Sequence, residues 1–398
     1  MINDARLPAP EVPVVSEKLR YLRRSGDAYN VLFIGSSRVH HQIIPELFDR
    51  LMNEAGIRVH SFNLGIDGIR PPEDAFLLEH ALQSRHEPLL WVIQEANPIR
   101  FREAEQIHDG LRGSYWRDGP RMWLLFQRLL AGKAPRSKNA WQRFGEFLHD
   151  SGDFWGHCML WLPKWIHLSE GVPMLHRICQ HVSETIPTKQ SGDDFDGYIS
   201  AGNEAMTEEA EGLYTKDMAA LQRNPAVEYY GDPASQQLIQ WSRKTVERHG
   251  GKLILVVPPT TNDWKFYPDP QFGPPPPVLD FSNVDQFPEL YEYGRRKDSG
   301  HLNQAGAELF TRLIVRHLLL LIKTKAGPSV TVRRWPGEWP QSPGGDWAWR
   351  RKGGLSGEQF SLPLKDKSIR GMGHALFSWP FTDSAAPLNP DFRSECFS

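Results

Sequence analysis

The chain has 398 residues, 40% of them hydrophobic and 24% charged, with a formal net charge of −2. That length supports one large core with an appendage or two modest domains, and the near-neutral balance gives no electrostatic reason to expect nucleic acid as a partner. Three cysteines, Cys158, Cys179 and Cys396, are too few and too scattered for a disulfide framework, which points to a reducing compartment or to indifference to redox state.

The segment from Met1 to Val14 is polar and proline-bearing and lacks a cationic start followed by an apolar core, so no secretory signal is expected. The most apolar stretches, Met122 to Leu130 and Leu318 to Ile322, fall short of the ~18 residues a membrane span requires. The expectation is therefore a chain without a membrane span, placed in the cytoplasm. Residues 1–29 read as a lead-in, with a basic helical piece from Glu17 to Arg24.

The first strand is expected near Asn30 to Gly35, where Val31-Leu32-Phe33-Ile34 runs into Gly35-Ser36-Ser37-Arg38. Apolar residues follow at helical spacing, Ile43, Ile44, Leu47, Phe48, Leu51 and Met52, with Pro45 tolerable in an opening turn. A second strand fits Arg58 to Asn63 and leads into Leu64-Gly65-Ile66-Asp67-Gly68. Pro71, Pro72, Glu73 and Asp74 then open a helix, proline first and acids next, with Ala75, Leu78, Ala81 and Leu82 on its inner face. The third strand is Leu89 to Gln94, running into Glu95-Ala96-Asn97-Pro98. Strand-then-helix units in this succession indicate a parallel, doubly wound α/β sheet.

From about residue 99 to residue 227 the sequence is tryptophan-rich, helical in period and poor in strands, which reads as a helical insertion between the third and fourth strands. Its tryptophans, among them Trp123, Trp155, Trp161 and Trp165, read as core, with a sugar-stacking platform as the alternative. His157, Cys158, His176, Cys179 and His181 match no familiar zinc spacing and read as packing or surface residues. A helix from about Ser235 to His249 stops at Gly250-Gly251, and Lys252 to Val257 is the fourth strand. Thr260 to Pro277 reads as a loop ending in four prolines, and Val278 to Phe281 as a short fifth strand. The last helix starts at Asn303, a good N-cap, and runs through Leu309, Phe310, Leu313, Ile314 and Leu318. The main domain is thus 30–325, and residues 326–398, rich in Pro, Gly, Arg and Trp without a period, read as an irregular, disordered tail.

A serine at the end of a parallel strand and ahead of a helix lies where open α/β sheets bind their ligands. At neutral pH such a nucleophile needs a base, which works best when a carboxylate fixes its tautomer. Asp298-Ser299-Gly300-His301 offers both groups on the loop before the final helix, three positions apart. The backbone N–H groups of Ser37 and Gly68 and the carboxamide of Asn97 lie just past the first three strands, where donors could hold an oxyanion. Each piece alone has a plainer reading: Gly-Ser-Ser as a turn, Asp-x-x-His as a cap, Asn97 before Pro98 as a turn former. His40 and His41, nearer to Ser37 in sequence, are expected to point away from it.

Gly35-Ser36-Ser37, Asn63 to Gly68, Asn97 and Asp298-Ser299-Gly300-His301-Leu302-Asn303 resemble the four sequence blocks of the SGNH hydrolases, also called the GDSL esterase/lipase family. The resemblance covers roughly residues 30–100 and 252–322 and is silent on the insertion and the tail. Ser36 stands where the commonest pattern has Asp, and the third block reads Glu95-Ala96-Asn97-Pro98 where Gly-x-Asn-Asp is usual. What the resemblance implies is a flavodoxin-like three-layer α/β/α fold and metal-independent, cofactor-free hydrolysis or transfer of small acyl groups, often acetyl esters on carbohydrate or lipid. By it Ser37 matches the nucleophile, His301 and Asp298 the rest of the triad, and Ser37, Gly68 and Asn97 the oxyanion donors. The alternative is a non-catalytic binding or scaffold protein on the same fold, the reading that Glu95 and Pro98 favour.

Overall fold

The computed structural model describes residues 13–83, 85–99, 116–131, 140–165, 195–204, 206–223, 226–262 and 264–326. Two units divide the chain, Met1–Pro336 and Gly337–Ser398; the second, and with it almost all of the expected tail, lies outside the described residues.

The expected lead-in holds a helix, α1 (Pro13–Ser25), whose Val15, Leu19 and Leu22 fall on one face and are buried in the core. The first strand, β1 (Val31–Ile34), is inaccessible at all four residues, as a central parallel strand covered on both faces must be. Its side chains alternate: Leu32 and Ile34 enter one core, Val31 and Phe33 the other. The apolar run after Ser37 is two helices, α2 (Ser37–His40) and α3 (Pro45–Glu54), because Pro45 starts a new helix at its first turn, where its missing N–H costs nothing. Then come β2 (Ser61–Asn63), α4 (Glu73–Leu82) and β3 (Trp91–Glu95).

Within the insertion the described residues form α5 (Gly119–Ala131), α6 (Ala140–Trp165) and α7 (Glu208–Arg223). A short strand, β4 (Val227–Tyr229), follows, then α8 (Pro233–Arg248), capped by Asp232, whose carboxylate accepts from the N–H groups of Ala234 and Ser235. Next are β5 (Lys252–Val257), β6 (Trp264–Phe266) and β7 (Val278–Asp280). Asn303 caps the final helix, α9 (Gln304–Ala326), its side-chain oxygen accepting from Gly306 N–H at 3.0 Å.

The main sheet is parallel throughout, in the order β2-β1-β3-β5-β7. Apolar residues of α1, α4, α5 and α8 fill the core on one face, and those of α3 and α9 fill the core on the other. This is the expected three-layer, flavodoxin-like α/β arrangement with five strands. One addition lies outside the expectation: β6 sits inside the presumed loop from Thr260 and pairs in parallel with β4 in a separate two-stranded sheet. Trp264-Lys265-Phe266 is too short to carry a period, and only its partner at residues 227–229 stabilises it as a strand.

The tryptophans of the insertion divide. Trp116 is buried and Trp161 packs partly against the core, but Trp123 is 48% and Trp155 64% exposed, which corrects the expectation that they are core. Apolar positions at helical spacing become core only where another layer faces them. No helix among the described residues is long and apolar enough to cross a membrane.

Candidate active site

In a sheet whose order runs 2-1-3, the loops leaving β1 and β3 part to opposite sides and open a crevice at the carboxyl ends of those strands. Ser36 caps α2, its Oγ accepting from Arg38 N–H at 3.3 Å. Ser37 is therefore the first helical residue, and its side chain faces the loop before α9. The Ser37 Oγ lies 2.7 Å from His301 Nε2, although the two residues are 264 positions apart.

The imidazole is oriented from behind. His301 Nδ1 is 2.9 Å from each Asp298 carboxylate oxygen, so it carries the proton and leaves the Nε2 lone pair toward the Ser37 hydroxyl. Asp298 also accepts from the backbone N–H groups of Gly300 at 2.7 Å and His301 at 2.8 Å, which folds the four residues into a tight turn. Burial pushes the Asp298 carboxyl up, but the hydrogen bond and charge of His301 and the two backbone donors outweigh it and hold the group below the usual carboxylate range. Asp298 is thus ionised wherever His301 needs it.

Arg296 fixes the turn in place. It is fully buried between the rings of Tyr214 and Tyr291, and its guanidinium donates to the carbonyls of Asp298 and Ser299. An antiparallel bridge between Arg296 and Leu302 closes the base of the loop. Across from it, buried Gln42 donates to Gly300 O at 3.4 Å, and Thr311 of α9 accepts from Ile44 N–H at 3.1 Å. These contacts join the linker after α2 to the His301 loop. Arg296, Gln42 and Thr311 carry no motif; only the position of an arginine two residues ahead of Asp298 hints at a carbonyl-binding role.

The loop after β2 is held just as closely. Leu64 N–H donates to Phe33 O at 2.8 Å and Ile66 N–H to Gly35 O at 2.9 Å, which lays this loop against the Ser36-Ser37 turn. Asn63 donates to Val39 O and Ile43 O, both at 2.8 Å, and so pins α2 from below. Gly68 ends the turn with φ +66°, a left-handed conformation that disfavours a side chain. The backbone N–H groups of Ser37 and Gly68 make no hydrogen bond within the described residues. Asn97, past the end of β3, places its Oδ1 3.4 Å from Arg38 Nη2.

His40 and His41 do turn away from Ser37. Asp67 receives both rings, at 2.9 Å from His40 Nδ1 and 3.1 Å from His41 Nε2, and His41 Nδ1 donates to Ile199 O at 2.7 Å. Burial pulls His40 down to about 4, so it is neutral near pH 7. Among the described residues this trio and the set His149, Asp150 and Asp153 on α6 bring metal-ligand atoms together; the first is accounted for by its mutual hydrogen bonds. Lys18 is buried beside it, its ammonium donating to Asn63 O, Gly65 O and Gly197 O, and burial lowers it to about 7. His157 accepts from Arg117 at 3.0 Å, whereas His176, Cys179 and His181 lie outside the described residues.

A hydroxyl, an imidazole and a carboxylate in this order can form and break an acyl bond. No family model matches the chain, and no curated protein is significantly similar to it in sequence.

Proposed function

We propose that this chain is a serine esterase or acyltransferase of the SGNH type, acting on small acyl esters, with O-acetyl groups on carbohydrate or lipid as the class the sequence blocks suggest. The observation that carries the reading is the unbroken relay from Ser37 Oγ through His301 Nε2, at 2.7 Å, to the Asp298 carboxylate behind Nδ1, at 2.9 Å.

Ser37 Oγ attacks the ester carbonyl as His301 Nε2 takes its proton, and Asp298 stabilises the imidazolium. The developing oxyanion is met by the N–H groups of Ser37 and Gly68 and by the Asn97 carboxamide. Collapse breaks the ester C–O bond, and His301 returns the proton to the leaving alcohol. Water or an acceptor hydroxyl then attacks the acyl-serine with His301 again as base, which releases the acid or the transferred ester and restores Ser37. None of these steps requires a cofactor.

The scaffold reading drew on Glu95 and Pro98. Arg38 neutralises Glu95 at 2.6 Å, which removes half of that support.

A fluorophosphonate probe and p-nitrophenyl acetate test the reading. Wild type is expected to label on a single serine and to turn over the ester, and Ser37→Ala to do neither. A wild type inert to both reagents would favour the scaffold, and a Ser37→Ala protein that labels as well as wild type would assign the chemistry to another serine.

A further inference from the structure

A carboxylate beside a developing oxyanion would raise the barrier unless its charge is answered. Glu95 is such a group, 2% exposed at the end of β3, and the structure answers both of its oxygens. Oε2 accepts from Ser36 N–H at 2.6 Å, and Oε1 lies 2.6 Å from Arg38 Nη2, whose side chain is itself only 13% exposed. The approach depends on Gly35: a Cβ there would fall 2.6 Å from Glu95 Cβ and 2.7 Å from its Oε2. Burial pushes the Glu95 carboxyl up, but the Arg38 charge and the hydrogen bond from Ser36 outweigh it, and the group stays ionised.

Asn97 is held by the same pair through its oxygen, which faces Arg38 Nη2 at 3.4 Å. With the oxygen turned to Arg38, the two hydrogens on the carboxamide nitrogen are left for another partner. The turn that presents Ser37 and the amide that would meet the oxyanion are thus fastened to one ion pair.

We propose that Arg38 and Glu95 are a positioning pair for the oxyanion hole: Glu95 fixes the Ser36 turn, while Arg38 cancels the Glu95 charge and, by holding the Asn97 oxygen, sets the direction of the Asn97 nitrogen. Neither touches the reacting atoms. The inference rests on the acyl-transfer reading of Ser37 and His301, and it adds two residues to which that reading gives no role.

The experiment uses the full chain as wild type, Arg38→Met, Glu95→Gln and the double variant Arg38→Met/Glu95→Gln, with melting temperature measured for each. The readouts are kcat and KM for p-nitrophenyl acetate and the rate of fluorophosphonate labelling. Arg38→Met strands a buried carboxylate beside the hole, so kcat and labelling are expected to fall about 100-fold with KM within about twofold. The double variant removes both charges and is expected to recover to within about tenfold of wild type, close to Glu95→Gln alone. A general loosening of the fold would move KM and melting temperature as well and would not be repaired by a second substitution.

A wild type that neither labels nor turns over overturns the acyl-transfer reading, and this inference with it. An active wild type with Arg38→Met within threefold of it, or with the double variant as slow as Arg38→Met, overturns the positioning pair alone. Should Arg38→Met not fold, the double variant decides: activity within about tenfold of wild type upholds the pair, and a loss beyond about 100-fold overturns it.

Discussion

The sheet with its covering helices and the α5–α6 pair are both built from apolar, aromatic sequence, yet they use it differently. Phe33, Phe62 and Phe310 are wholly inaccessible, each caught between the sheet and a helical layer. On α5 and α6, Trp123, Trp141 and Trp155 are 48%, 82% and 64% exposed. The difference teaches that apolar content marks a core only where a second layer faces it. It also separates structure from chemistry. Every described hydrogen bond that orients Ser37, His301 and Asp298 comes from the sheet-end loops, α2 or the turn before α9. The α5 helix joins the domain through buried Met122, Leu125 and Leu129 and through charged groups, Arg121 with Glu79 and Arg128 with Asp232 at 3.2 Å, none of which touches Ser37, His301 or Asp298.

If that division is right, the largest effects come from the sheet-end loops. Asp298→Asn keeps the shape of the turn but removes the charge behind His301 and is expected to lower kcat by about 10³–10⁴-fold with little change in melting temperature. Retention of full activity would break the relay between the two loops.

Next in size is the core between sheet and α9. Phe310→Ala opens a cavity against Phe281 and is expected to cost about 3–5 kcal/mol in denaturant unfolding. A cost below about 1 kcal/mol would mean that the layer packs less tightly than its burial indicates.

The loop carrying Gly68 sharpens the comparison through pH. The folded-state value of His40, about 4, lies below its ordinary 6.5, so the unfolded chain takes up the proton first as pH falls. The stability this neutral histidine contributes is complete above about pH 6.5 and is lost toward pH 4, on the order of 3 kcal/mol in all. His41 works in the opposite direction. Burial lowers it, but Asp67 and the Ile199 carbonyl outweigh that and raise it, so its contribution is present below pH 6.5 and lost above. Between pH 6.5 and 4 the melting temperature of His40→Gln is expected to fall less steeply than that of wild type; parallel acid limbs would remove His40 from the balance.

The smallest effects belong to the α5–α6 surface. Trp141→Ala and Trp155→Ala should change unfolding stability by no more than about 0.5 kcal/mol. A much larger loss would place these side chains in a core after all and erase the contrast between the two regions.

The chain itself determined the parallel sheet, since apolar runs such as Val31–Ile34 and residues 253–257, alternating with segments of helical spacing, have few other solutions. It also marked the residues on the crevice loops, because strand ends in such a sheet are where side chains converge. Local signals were enough for Asn303 as a cap and Gly250 as a helix stop, whose effects act within one turn. Only the tertiary structure decided which serine meets His301, for Ser36 and Ser37 differ by one position and the direction of α2 is set by Asn63, Gln42 and Thr311 from elsewhere in the chain. It alone paired β4 with β6, left Trp155 in solvent, and gave Glu95 its counter-charge in Arg38. Those outcomes depend on which groups from distant stretches come within a few ångströms of one another, and a sequence lists side chains without the distances between them.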